Sequence, residues 1–183
     1  DEGDEEHPDE PVDPHFWLDP MRLADVGDAL ADELSALDPD GSPTYTANAA
    51  DLRADLEELD AAFAAGLATC DSRALVTSHT AFGYLAHRYA LEQVGIAGLS
   101  PDVEPTAAEL AEVSAFVADN DVTTIFYETL VSPDVAETVA SETGATTAVL
   151  DPLEGLVPDD STSDYLTVMD DNLASLTDGL GCQ

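Results

Sequence analysis

Residues 74–91 read ALVTSHTAFGYLAHRYAL, and the change of pattern inside them decides the fold. Ala74 to Thr77 is a short apolar run with strand character, and Ser78-His79-Thr80 breaks it with polar side chains. From Thr80 to Leu91 the spacing is helical, with Ala81, Tyr84, Leu85 and Arg88 three and four apart. The stretch is a strand, a turn and a helix, with a histidine at the turn. In an open α/β sheet such a turn lies at the carboxyl end of a strand, where ligands bind. His79 is therefore a candidate metal ligand.

The same alternation continues downstream. Strand-like runs are Ala74–Thr77, Val94–Ala97, Thr123–Tyr127 and Thr146–Leu150. Helical runs are Thr80–Leu91, Thr106–Asp119, Pro133–Glu142 and Ser163–Gly179. Strands alternating with helices of this length form right-handed crossovers, so the fold class is α/β with a parallel sheet flanked by helices. Upstream, Asp19 caps a helix with Pro20 in its first position, and Leu23, Val26, Leu30, Leu34 and Leu37 mark one face. A second helix starts at Ser42-Pro43 and carries Leu52, Leu56, Leu59, Phe63 and Leu67. It is long enough to serve as a strut between two lobes. The organisation predicted is an acidic flexible loop over 1–13, part of a first lobe over 14–42, a long linker helix over 43–69 and an α/β lobe over 70–183.

Charge narrows the partners. Forty acidic residues oppose four basic ones among 183, lysine is absent, and the net charge is −36. Yet 44% of the residues are apolar and regularly spaced, which argues for a packed core rather than an acidic disordered chain. A surface this acidic repels itself in dilute buffer and is screened at molar salt, which predicts a halophilic protein. Nucleic acid and anionic membrane surfaces are repelled by the same charge. No segment is apolar over a membrane-spanning length, and no signal peptide is read. Cys70 and Cys182 are either one disulfide, which would suit a secreted protein, or two free thiols.

The residues that follow the strands carry the chemistry. His79 follows the first, Glu128 the third and Asp151 the fourth. One imidazole and two carboxylates at one sheet edge make a set of hard-to-borderline metal ligands. His15 joins them, because Pro14 and Phe16-Trp17-Leu18 place it in a structured segment. His87, two helical turns beyond His79, is not counted as a ligand. His7 lies in the acidic run DEGDEEHPDEPVD, a weak site for cations.

The segments DPHFWLDP (13–20), VTSHTAFGYLAHRYAL (76–91), GLSPDVEPT (98–106), FYETLVSPDVAETVA (126–140) and VLDPLEGL (149–156) resemble the metal-binding solute receptors of ABC importers for zinc and manganese, above all the zinc branch. The resemblance covers about residues 11–178. It implies two α/β lobes joined by one long helix, with the metal in the cleft between them. It implies His15, His79 and Asp151 as ligands and the acidic loop with His7 as an accessory metal-gathering segment. It also implies a further histidine ligand from a lobe ahead of residue 1, so this chain is expected to be N-terminally truncated and anchored to a membrane through the missing part. Two imidazoles and one carboxylate suit Zn²⁺ better than Mn²⁺. Glu128 is expected to orient an imidazole by accepting its other N–H.

The function expected is that of an extracytoplasmic, monomeric receptor that captures Zn²⁺, alternatively Mn²⁺, and hands it to the permease of an ABC importer. A zinc-dependent hydrolase is the enzymatic alternative, with Glu128 as general base, but no HExxH motif is present. An acidic adhesion or interaction module is the other alternative.

Overall fold

The structure is a computed structural model that describes residues 12–100, 104–129, 132–155 and 164–183. His7 lies outside the described residues. The chain opens on a short 3₁₀ turn, Phe16–Leu18, followed by α1 (Pro20–Leu37) and α2 (Ser42–Gly66). Asp19 caps α1 by accepting from the backbone N–H groups of Met21 and Arg22, as the Asp-Pro pair predicts. At 25 residues, α2 is about 38 Å long.

Among the described residues four strands follow: β1 (Ala74–Thr77), β2 (Glu92–Gly95), β3 (Thr124–Tyr127) and β4 (Thr146–Val149). They alternate with α3 (Gly83–Arg88), α4 (Ala107–Asp119), α5 (Asp134–Thr143) and α6 (Tyr165–Gly179). All strand pairs are parallel and the order is β2-β1-β3-β4. The order reverses at β1, so the loops after β1 and β3 open side by side at one edge.

The core lies on both faces of the sheet, because parallel strands between helix layers bury both sides. Leu75 and Phe126 point into one cluster with Leu18, Phe63 of α2 and Leu176 of α6. Ala74, Val76 and Ile125 point into the other, with Val113 and Val117 of α4 and Val139 of α5. Alternate residues of one strand thus feed opposite layers. The cluster that holds Leu75 and Phe126 also joins α2 to the sheet, so α2 is seated on the α/β unit at its C-terminal end.

Two elements depart from the sequence reading. β2 begins at Glu92 instead of Val94, because it is an edge strand and tolerates Glu92 and Gln93 in the ladder. α3 is shorter than the helical spacing predicts. Thr80 lies in a bend and residues 81–82 are turn, and beyond Arg88 the chain reverses through Ala90 at φ 55°. Cys70 and Cys182 are disulfide-bonded across a sequence separation of 112 and tie the end of α2 to the C-terminus.

Candidate metal centre

His79 sits two residues beyond the end of β1 and is completely buried. Two donors fix its backbone carbonyl: the Thr77 hydroxyl at 2.6 Å and the Gln93 amide at 3.3 Å. Its ring Nδ1 lies 2.5 Å from Oε1 of Glu128, a buried carboxylate one residue beyond β3. With Nδ1–H donated to Glu128, the lone pair is left on Nε2. That atom is buried and, among the described residues, has no hydrogen-bond partner. A buried acceptor without a donor is costly, and a cation would satisfy it.

His15 reaches the same point from the turn ahead of α1. Its backbone N–H donates to Asp13 Oδ1 at 2.9 Å, and its ring Nδ1 meets the same oxygen at 2.6 Å. Its Nε2 lies 2.7 Å from Oε1 of Glu154. Both ring nitrogens therefore face carboxylates. A neutral imidazole has one N–H to give, so the second contact calls for another proton or for a metal ion in its place. The two imidazoles stand edge to face with centroids 5.5 Å apart.

Glu154 completes the group. Its Oε1 is 3.6 Å from His79 Nε2, and ligand atoms of His15, His79 and Glu154 all lie within 4.8 Å of one another. Two donors on one tetrahedral zinc ion are about 3.3 Å apart, so the His79–Glu154 spacing already matches, and His15 and Glu154 would part slightly to admit the ion. Three donors leave one position for water or a further ligand.

Glu128 lies against Nδ1 of His79, on the side of the ring away from Glu154. Asp151 does not join the group. Its Oδ2 accepts from the Thr129 hydroxyl and its Oδ1 from the Leu153 backbone N–H, both at 2.8 Å. Among the described residues the carboxylate at the centre is Glu154, three positions further on. The strand-end rule selects the first acid after β4, whereas here the loop turns back and presents the second. Asp13 is the other residue the sequence reading passes over. Its position two residues before His15 is a signal for an Asx-type contact to the His15 N–H. Nothing in the spacing marks Glu154 above Asp151.

Electrostatics set the affinity of this site for cations. Burial opposes a charge on His79, but the hydrogen bond and charge of Glu128, followed by those of Glu154, outweigh it and raise the imidazole above its usual range. Carboxylates surround the two buried imidazoles, while the Glu154 side chain is partly exposed.

Known proteins share this framework. Residues 1–179 match the family model of ZnuA, described as zinc-uptake complex component A, periplasmic. The chain belongs to the ZnuA family. It is 42% identical over 181 residues to the zinc-binding lipoprotein AdcA of Streptococcus pneumoniae, covering 96% of this chain and 36% of that protein. To the high-affinity zinc uptake system protein ZnuA of Bacillus subtilis it is 40% identical over 171 residues, covering 92% of this chain and 54% of the relative. The crystal structure of the Zn(II)-bound ZnuA-like domain of Streptococcus pneumoniae AdcA superposes with a TM-score of 0.79 at 40% identity, over 96% of this chain and 68% of that one. The chain thus spans about a third to a half of the curated relatives it matches. The ZnuA family is one of zinc-uptake components, not of enzymes, which sets aside the hydrolase alternative.

Proposed function

We propose that this chain is an extracytoplasmic receptor that captures Zn²⁺ and delivers it to the permease of an ABC importer. The observation that carries this is the convergence of two imidazole nitrogens and one carboxylate oxygen, with His79 Nε2 buried and, among the described residues, without a hydrogen-bond partner. The proposed ligands are His15, His79 and Glu154, with Asp13 and Glu128 holding the rings by their other N–H groups. This carboxylate–imidazole–metal arrangement fixes the tautomer and raises the basicity of the donor. Two nitrogens and one oxygen favour Zn²⁺ over Mn²⁺, both by ligand type and by the general affinity order of divalent ions. All three donors come from one chain, which supports action as a monomer. The division into 14–42, 43–69 and 70–183 fits this reading, with α2 as the strut beside the cleft. The excess of 40 acidic over four basic residues supports a high-salt environment.

Capture is reversible coordination. Any proton on Nε2 leaves as zinc enters, so binding releases protons and weakens in acid. Calorimetric titration of the chain with ZnCl₂ and with MnCl₂ at pH 7.5 in molar NaCl tests the reading. It predicts one saturable zinc site per chain, at least about tenfold tighter than manganese. Equal affinities, or no saturable zinc binding, would refute it.

A further inference from the structure

Glu154 is carried by a loop whose backbone is held off its ordinary path. Leu153, directly before it, lies at φ 56°, in the left-handed region that a leucine avoids. Such a conformation persists only where the surroundings over-determine it. Here they do. The buried Asn172 side chain of α6 pairs with both backbone groups of Asp151, accepting from its N–H and donating to its carbonyl, each at 2.8 Å. Asp151 Oδ1 then accepts from the Leu153 N–H, closing an Asx turn across Pro152, while Oδ2 accepts from Thr129 beyond β3. From the opposite side the Trp17 indole N–H donates to the Pro152 carbonyl at 2.8 Å. Trp17 is two residues from His15, so this bond ties the two ligand-bearing segments together. The Leu153 side chain packs against the main core cluster. With residues 151–153 so fixed, the next side chain, Glu154, is the one aimed at the imidazoles.

From this we infer that Asp151 is a positioning residue for Glu154: it acts as a hydrogen-bond acceptor that folds the loop, with Trp17 pinning it to the His15 turn, and does not itself contact the metal. The inference rests on the reading of His15, His79 and Glu154 as zinc ligands. It differs from a ligand role in one testable respect. A ligand needs the carboxylate charge, whereas the Asx turn needs only an acceptor at Oδ1, which asparagine supplies.

Zinc calorimetry at pH 7.5 on the chain and on Asp151→Ala, Asp151→Asn and Glu154→Gln separates the two, with far-UV circular dichroism as the check on folding. Asp151→Ala is expected to bind zinc about 10–100-fold more weakly, and Asp151→Asn to recover about tenfold of that loss. If Asp151→Ala stays within about twofold of the parent, or if Asp151→Asn is as weak as Asp151→Ala, the positioning role is overturned. Glu154→Gln distinguishes this failure from failure of the ligand reading. A large loss in Glu154→Gln beside a silent Asp151→Ala removes only the positioning role, and an unchanged Glu154→Gln removes the ligand reading with it. Should Asp151→Ala fail to fold, Trp17→Phe decides. It keeps a ring but deletes the N–H to Pro152, and is expected to weaken zinc severalfold with the circular dichroism unchanged; an unchanged affinity would overturn the pinning.

Discussion

The loops after β1 and β4 deliver donors to one point, and they are built in opposite ways. Beyond β1, His79 is wholly buried, its carbonyl and its Nδ1 are both bonded, and no residue of the loop leaves the ordinary regions of backbone space. Beyond β4, Glu154 has a side chain 31% exposed and follows a leucine in the left-handed region. One donor is set by packing, the other by a net of hydrogen bonds around a strained turn. The contrast teaches a division of labour. The imidazole is preorganised in a buried position, where its interaction with a cation is stronger than at the surface. The carboxylate stands at the solvent side, where it can part from His15 as zinc arrives.

The largest effect should come from breaking the rigid side. His79→Ala removes a ligand outright, and titration should show a loss larger than the roughly 10–100-fold that supporting residues carry. Next is Glu128→Ala, which leaves the ring in place but frees its Nδ1. Zinc affinity should fall about 10–100-fold, and a change within about twofold would show that Glu128 does not orient the ring.

A smaller effect sharpens the comparison through pH. His79 protonates more readily than a free imidazole, through Glu128 and Glu154. Its raised value means that protons compete with zinc from above the usual imidazole range downward, so affinity should fall as pH drops through that range and onward. The sign for folding without zinc is the reverse. A group whose folded value is raised stabilises the fold fully below its unfolded value, near 6.5, and loses that contribution as pH rises through the folded value. Chemical denaturation of the zinc-free chain and of His79→Asn across this window should therefore differ most on the acid side, whereas zinc titrations differ most on the alkaline side. Equal differences at both ends would place the proton elsewhere.

Much of the architecture was legible in the sequence because it rests on periodicity. The Asp19-Pro20 cap, the spacing along α1 and the strand–helix alternation from Ala74 are local signals, and the structure follows them within a few residues. The slip at β2 has a plain cause, since an apolar run marks a buried strand well and an edge strand such as Glu92–Gly95 poorly. Around the candidate centre, His15, His79 and Glu128 could be singled out because strand ends and a flanking Trp17 limit where they go. That Glu154 and not Asp151 lies beside the two imidazoles could not be read. It depends on a left-handed Leu153, on Asn172 some 20 residues later and on an indole bond from Trp17, none of which has a local pattern. A candidate metal centre assembled by long-range contacts is visible in sequence as a list of donors, and which of them meet is decided by the turn that presents them.

Zinc-edge X-ray absorption on the loaded chain tests the central claim most directly. Ligation by His15, His79 and Glu154 predicts a low-coordinate shell with two imidazole nitrogens and carboxylate oxygen at about 2.0–2.2 Å, and one imidazole fewer in His79→Ala. A six-coordinate, all-oxygen shell that is the same in both proteins would place the ion on the acidic surface and contradict the account.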